Sequence, residues 1–448
     1  MSEGSLQAPT RHALAWREPS FYDPAALEQE LERVFDICHG CRRCFSLCQA
    51  FPTLFDAIDG TSSGELEGVD RRVYWKVVDH CYLCDMCYMT KCPYVPPHAW
   101  NVDFPHLMLR AKAVKARRGE TRWRDRLLTS TDVVGRLAGI PVVAGIVNAT
   151  LASAPGRRVL AKTLAVHPEA PLPDYHSNSG RARVRRLLRE APPATTLSGG
   201  PRATDSTRGQ VVLFTTCYGN RNEPDLDTDL AAVFLHNGIH VQLAGRERCC
   251  GMPKLELGDL AAVAKLKQAN VPELKRWIER GFDIVAPIPS CVLMFKQELP
   301  LMFPDDADVQ LIKSRMFDPF EYLMLRHKAG LLDTAFRNRL GKVSYHVPCH
   351  LRVQNIGLKT RDVLRLVPDT TVEVIERCSG HDGTYALKSE FRAAAVKIGR
   401  PVAQKVEQGQ GDYYASDCPM AGHQIGSLLG TAREPTHPMK LLRIAYGI

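Results

Sequence analysis

Cysteine spacing constrains this chain more than any other feature. Of fifteen cysteines in 448 residues, four fall at Cys38, Cys41, Cys44 and Cys48 and four at Cys81, Cys84, Cys87 and Cys92. The first run reads C-x2-C-x2-C-x3-C; the second reads C-x2-C-x2-C-x4-C and is followed by Pro93. The amino end, MSEGSLQAPTRHALAWREP, has neither the basic start nor the apolar core of a secretory signal. The expected location is therefore the reducing cytoplasm, where grouped cysteines serve as metal ligands or redox groups rather than disulfides. Zinc ribbons use pairs of C-x2-C, which leaves no use for the third and fourth cysteine of each run. All-thiolate ligation suits zinc or iron–sulfur, so the spacing decides, and it favours iron–sulfur.

The two runs have the arrangement of bacterial two-cluster ferredoxins, in which three cysteines of a run bind one cubane and the fourth reaches across to the other. On that geometry Cys38, Cys41, Cys44 and Cys92 hold one [4Fe–4S] cluster, and Cys81, Cys84, Cys87 and Cys48 hold the second. Phe45, Leu47, Phe51, Tyr82, Leu83, Met86 and Tyr88 lie between or beside these ligands as an apolar shell. A helix is expected to lead in, with Asp23 as N-cap, Pro24 at its first position, and Leu27, Leu31, Val34 and Phe35 on one face. A second helix is expected from about His106 to Arg118.

The remaining seven cysteines follow a duplicated pattern. Strand VVLFTTC ends at Cys217, a helix covers about 224–236, strand HVQLA leads to Cys249-Cys250-Gly251, a helix covers about 259–280, and strand DIVAPIP delivers Cys291. The second copy runs from KVSYHVPC at Cys349, through a helix near 360–366 and strand TVEVIE, to Cys378-Ser379-Gly380. A helix from about Lys388 to Gln408 and strand DYYAS then lead to Cys418. Alternating strands and helices imply parallel α/β layers with the cysteines at the carboxyl ends of strands, where ligands collect in open sheets. The fold class is thus α+β and multidomain. It comprises a helical two-[4Fe–4S] module over 1–120, a helical connector and basic linker over 121–209, and α/β repeats over 210–330 and 331–448.

Cys, Cys-Cys-Gly and Cys at these intervals resemble the cysteine-rich CCG domain in the B subunit of heterodisulfide reductase. The whole order resembles the C subunit of anaerobic glycerol-3-phosphate dehydrogenases and the iron–sulfur subunit of glycolate oxidases, down to the closing HPMKLLRIAYGI. HCYLCDMCYMTKCPYVPPHAW is similar to relatives associated with rubrerythrin. The resemblance implies an electron-transfer subunit that links a flavoprotein dehydrogenase, of glycerol-3-phosphate or 2-hydroxy-acid type, to a quinone or other acceptor. It implies further clusters at Cys217, Cys249, Cys250 and Cys291, and at Cys349, Cys378 and Cys418. The full motif has five cysteines. Copy one has Met294 in the fifth place, and copy two has Ser379 and Ala421 in two places, so its three thiolates need a fourth ligand such as His350, His381 or Asp417, leave an iron open, hold a three-iron cluster, or are the remnant of a lost site.

Two other readings stay open: a thiol/disulfide or rubrerythrin-linked peroxide reductase, and a non-catalytic redox sensor. Glycine-rich phosphate loops are missing after the expected strands, so no intrinsic flavin is expected. A net charge of +9 is spread along the chain and calls for no nucleic-acid partner. The apolar run from Leu137 to Val147 would reach only ~16 Å as a helix against a ~30 Å hydrocarbon core. The stretch Val133 to Ala154 is therefore read as a helix packed on a neighbour, with peripheral contact to the inner face of the plasma membrane as the sharper alternative. The arginines at 157, 158, 181, 183, 185, 186 and 189 are expected on a solvated helix face, and residues 192–209 as a flexible linker.

Overall fold

The computed structural model describes residues 9–190, 201–245, 247–430 and 433–448. The amino-terminal part is helical. Its first long helix, Pro24–Cys41, begins where the Asp23 carboxylate accepts from the Ala26 amide at 2.7 Å, and it buries Leu27, Leu31, Val34 and Phe35. That stripe meets helices Ala50–Asp59, Arg71–His80 and Phe104–Arg117 through Phe51, Phe55, Val77 and Met108, all nearly inaccessible.

Two parallel sheets follow. The first has strands β1 (Gln210–Leu213), β2 (His240–Leu243), β3 (Asp283–Val285) and β4 (Met316–Phe317) in the order β2-β1-β3-β4. The second has β5 (Gly341–His346), β6 (Thr370–Ile375) and β7 (Tyr413–Ser416) in the order β6-β5-β7. The first three strands of each sheet thus share one topology, as the duplication requires. Helices Pro224–His236 and Leu260–Glu279 in copy one correspond to Lys359–Leu364 and Ser389–Gly409 in copy two. The extra strand β4 is two residues long, too short to leave a periodic signal in sequence.

Apolar packing is continuous across these regions. One cluster joins Phe35 and Met108 of the helical part to Val212, Ile284 and Met294 of copy one. Tyr82 packs with Tyr385 and Ala395 of copy two in another. Near the amino end, Arg11 is enclosed by carboxylates, at 2.5 Å from Asp85, 2.8 Å from Asp103 and 3.8 Å from Glu298. This network fastens the amino-terminal strand of chain to both the second cysteine run and copy one.

Three expectations change. The apolar stretch is two helices, Thr131–Ala138 and Pro141–Ala152, bent by 105°, because Pro141 starts a new helix rather than continuing the old one. Its inner face packs on copy one as expected, with Gly135 and Gly139 against Arg221 and Asp132 bonded to the Cys249 amide, but its outer face is bare, with Val142 74% and Leu137 60% exposed. No single helix among the described residues is long and apolar enough to cross a membrane. In helix Gly180–Glu190, Arg185, Arg186 and Arg189 are solvated, but Arg181 turns inward to Glu247 and the Ala244 carbonyl.

The linker expected over 192–209 lies partly, at 192–200, outside the described residues. Its remainder is anchored rather than flexible: the Arg208 amide donates to Asp283 at 2.7 Å and the Gly209 amide to Tyr322 Oη at 3.0 Å.

Candidate functional site

Local backbone brings the amino-terminal thiols together. Cys38 and Cys41 ride on the last turn of Pro24–Cys41, and Arg42, at φ 52, reverses the chain toward Cys44. The second run starts where helix Arg71–His80 stops. Leu83 and Asp85 adopt left-handed φ of 57 and 60, and the short helix Met86–Thr90 then carries Cys87.

Burial first, then the proximity of Cys44, Cys92 and Cys41, pushes the Cys38 thiol well above its ordinary pKa. Cys44 is pushed up to about 12 by burial and by Cys92 and Cys41. Cys92, from the second run, therefore sits with three cysteines of the first. Conversely, Cys48 lies beside Cys81 and Cys84; Cys87 lies near Cys81 and Cys48, and also near Cys44, so the two sets adjoin. Around them Phe51, Tyr82, Leu83, Met86 and Tyr88 are buried. Phe45 is not: it is 55% exposed.

In copy one, Cys217 opens a short helix after β1, capped by Thr216, whose hydroxyl accepts from the Gly219 amide at 2.9 Å. Cys249 is fixed by its amide donating to Asp132 at 2.7 Å and its carbonyl accepting from Asn270 at 3.0 Å. Its sulfur accepts from Cys217 and Cys250, which lowers the Cys249 pKa while raising those of the two donors; Cys250 also meets Cys291. The four thiols form one contiguous group. Met294, in the fifth place, is wholly buried beside Gly251.

Copy two brings Cys349, Cys378 and Cys418 together. The Cys378 sulfur accepts from the Gly380 amide at 3.3 Å and meets Tyr82 Oη of the helical part at 3.6 Å. Cys84 lies near Cys349 and Cys378, so the second amino-terminal set adjoins the copy-two set. Of the histidines and carboxylate considered as further ligands, Asp417 is engaged by Tyr345 and Thr360. His381 has no hydrogen-bond partner at either ring nitrogen, and His350 has none at Nε2.

Both copies turn their sulfurs to one cavity of about 1090 Å³, lined by Cys217, Cys250, Cys291, Cys349, Cys378 and Cys418. Its walls include Val134, Ala138, Val147, Leu151, Leu164 and Leu172, largely from the bent helix pair and the segment that follows it. Leu137 lines the cavity and is also 60% exposed, which places a mouth at the bare apolar face. Glu256 and Asp382 line the same space, and sequence reasoning passed over both. The only available signal was position, five residues after Gly251 and four after Cys378, and acidic residues in loops are too common to be singled out.

All fifteen cysteines are free thiols. Buried thiols that crowd one another pay a repulsive cost as thiolates unless a cation neutralises them, so each set has the donor chemistry that a thiolate-bound metal centre needs.

Comparison with known proteins agrees with this geometry. The cysteine-rich domain family named CCG matches residues 211–296 and 343–426. The C subunit of anaerobic glycerol-3-phosphate dehydrogenase from Escherichia coli (strain K12) is 26% identical over 71% of this chain and 76% of its own length. The B subunit of fumarate reductase (CoM/CoB) from Methanothermobacter marburgensis is 26% identical over 47% of this chain and 40% of its own. Lactate utilization protein A of Bacillus cytotoxicus is 25% identical over 47% of this chain and 87% of its own.

Proposed function

Starting from a chain with two CCG cysteine-rich domains and homology to the C subunit of anaerobic glycerol-3-phosphate dehydrogenase, we propose an iron–sulfur electron-transfer subunit of an oxidoreductase complex. Its donor is a flavoprotein dehydrogenase of glycerol-3-phosphate or 2-hydroxy-acid type, and its acceptor is a quinone. Bound iron–sulfur clusters supply one-electron redox chemistry.

The chain's own residues bind, order and insulate those clusters. Cys38, Cys41, Cys44 and Cys92 would hold one [4Fe–4S] cluster, and Cys48, Cys81, Cys84 and Cys87 a second. Cys217, Cys249, Cys250 and Cys291 offer a full thiolate set for a third; Cys349, Cys378 and Cys418 offer three thiolates for a fourth. Phe51, Leu83 and Met86 keep water from the amino-terminal pair.

One observation carries the reading. The sulfur sets form a sequence, Cys92 group to Cys84 group to Cys378 group, that ends at a cavity walled by apolar side chains and open at an exposed apolar face. A hydrophobic acceptor fits such a space better than a polar one. The bare face of the bent helix pair, with Leu137, Ile140, Val142 and Ile146 exposed, suits peripheral contact with the inner face of the plasma membrane.

Oxygen-free purification tests the reading. The amino-terminal sets require about eight irons, and each occupied CCG site adds roughly three or four. Reduced protein should pass electrons to a soluble quinone analogue. Cys84→Ser should block that transfer and leave the copy-one spectroscopic signal in place. Zinc in place of iron and sulfide, or quinone reduction indifferent to Cys84→Ser, would refute it. Co-purification of a flavin dehydrogenase supports the assigned donor; a rubrerythrin alone would move the assignment to peroxide reduction.

A further inference from the structure

Glu256, His350 and Asp382 meet where the two CCG copies face each other, and each offers a ligand atom within 4.8 Å of the others. They come from three separate segments. Glu256 ends the short helix Met252–Glu256 that follows Cys249-Cys250-Gly251. His350 follows Cys349, and Asp382 closes the loop begun by Cys378. We propose that these three side chains form a mononuclear site for a divalent cation, beside the copy-two thiols and distinct from them in its donor atoms.

The orientation of His350 is the strongest support. Only 4% of the residue is exposed; Ser290 Oγ of copy one bonds Nδ1 at 2.7 Å, and Nε2 is buried beside the Leu83 backbone without a well-formed hydrogen bond. A ring held through one nitrogen with the other free is how proteins present histidine to a metal. Asp382 Oδ2 is likewise buried and without a hydrogen-bond partner.

The next residue, Gly383, leaves room for the approach of Glu256, since a Cβ there would collide with Glu256 Oε2. Two ammonium groups stand near Glu256, and Lys112 stands near Asp382 as well, but neither is hydrogen-bonded to these carboxylates. Lys112 donates to the Cys81 carbonyl, and Lys388 pairs with Asp125 at 3.0 Å. One imidazole and two carboxylates form a donor set of oxygen and nitrogen, which suits Mn2+, Fe2+ or Zn2+ and not a cluster built on thiolate.

The site does not depend on the electron-transfer reading and is tested apart from it. The complete chain, purified without oxygen and treated with EDTA, is titrated with Mn2+ while the electron paramagnetic resonance of free aqueous Mn2+ is followed. Uptake of one Mn2+ per chain is expected. Glu256→Gln and Asp382→Asn should each weaken uptake at least tenfold, and Ser290→Ala by a smaller factor, with iron and sulfide content unchanged. Absence of stoichiometric uptake, or uptake untouched by Glu256→Gln, overturns the site even if the iron count stands. Loss of iron with Asp382→Asn also overturns it, because Asp382 would then be a ligand of the copy-two centre. Should Asp382→Asn fail to fold, Glu256→Gln alone decides.

Discussion

The two CCG copies share strand order and cysteine placement but hold their sulfurs by different means. Copy one holds its paired cysteines with its own residues and the bent helix pair: four thiols contact one another, Asn270 of helix Leu260–Glu279 bonds both the Arg248 amide and the Cys249 carbonyl, and Asp132 accepts from the Cys249 amide. Copy two has three thiols, and its loop leans on the helical part. Tyr82 Oη meets Cys378, His80 Nδ1 lies 2.8 Å from Tyr385 Oη, and the Tyr82 and Tyr385 rings lie 4.9 Å apart. The copy with fewer cysteines is the one docked against the second amino-terminal cysteine set. Duplication thus supplied two similar sites, and the neighbouring helical part distinguished them.

The largest test of this contrast uses the glycine that ends each motif. Gly251 and Gly380 both have positive φ, at 108 and 71. A side chain at Gly251 would make ordinary contacts, with Met294 Cε at 3.4 Å, Val263 Cγ1 at 3.6 Å and Leu266 Cδ1 at 3.9 Å, whereas one at Gly380 would overlap the Ala395 carbonyl of helix Ser389–Gly409. Gly380→Ala should cost about 3–4 kcal/mol, because backbone strain and overpacking act together. Gly251→Ala should cost about 1–2 kcal/mol, from strain alone. Thermal unfolding of the two variants side by side measures the gap; equal losses would mean that the loops are equally confined.

Next in size is Asn270→Ala, which leaves the Arg248 amide and the Cys249 carbonyl without their shared partner. A loss of about 1–3 kcal/mol is expected, with copy-one spectroscopic signals broadened and copy-two signals intact. Tyr82→Phe should do the reverse at smaller cost, about 0.5–1.5 kcal/mol, and shift signals from the copy-two centre and the adjoining Cys84 set while sparing those of copy one. A shift in copy-one signals would break the comparison. Val142→Ser lies outside both sites and should change stability by less than about 0.5 kcal/mol. Co-sedimentation with anionic lipid vesicles should nevertheless weaken if the bare face of the bent helix pair meets a membrane.

Much of the fold is legible in the residues, for reasons that differ by element. The helix Pro24–Cys41 announces itself through Asp23, Pro24 and a stripe of four apolar residues, all local features. Strands β1–β3 and β5–β7 follow from short apolar runs repeated at a fixed offset. The bent pair at Thr131–Ala138 and Pro141–Ala152 was harder, because its composition fits a buried helix as well as a surface one, and only its neighbours decide which. The anchored segment 201–209 looked flexible from its small and polar residues. Its order comes from Asp283 and Tyr322, far along the chain.

The candidate site divides in the same way. Spacing grouped the cysteines into the sets that the fold brings close together, because side chains that converge on one point recur within a few residues or at equivalent points of a repeat. Spacing could not show that Cys84 adjoins Cys349, that Arg11 is enclosed by Asp85, Asp103 and Glu298, or that Glu256, His350 and Asp382 converge. The sequence alone determined how the cysteines are grouped and which segments fold as strands and helices, since both follow from short-range periodicity. Tertiary structure decided which sulfur sets are neighbours, what fills the seam between the copies and where the cavity opens, because those contacts join residues whose separation along the chain follows no period.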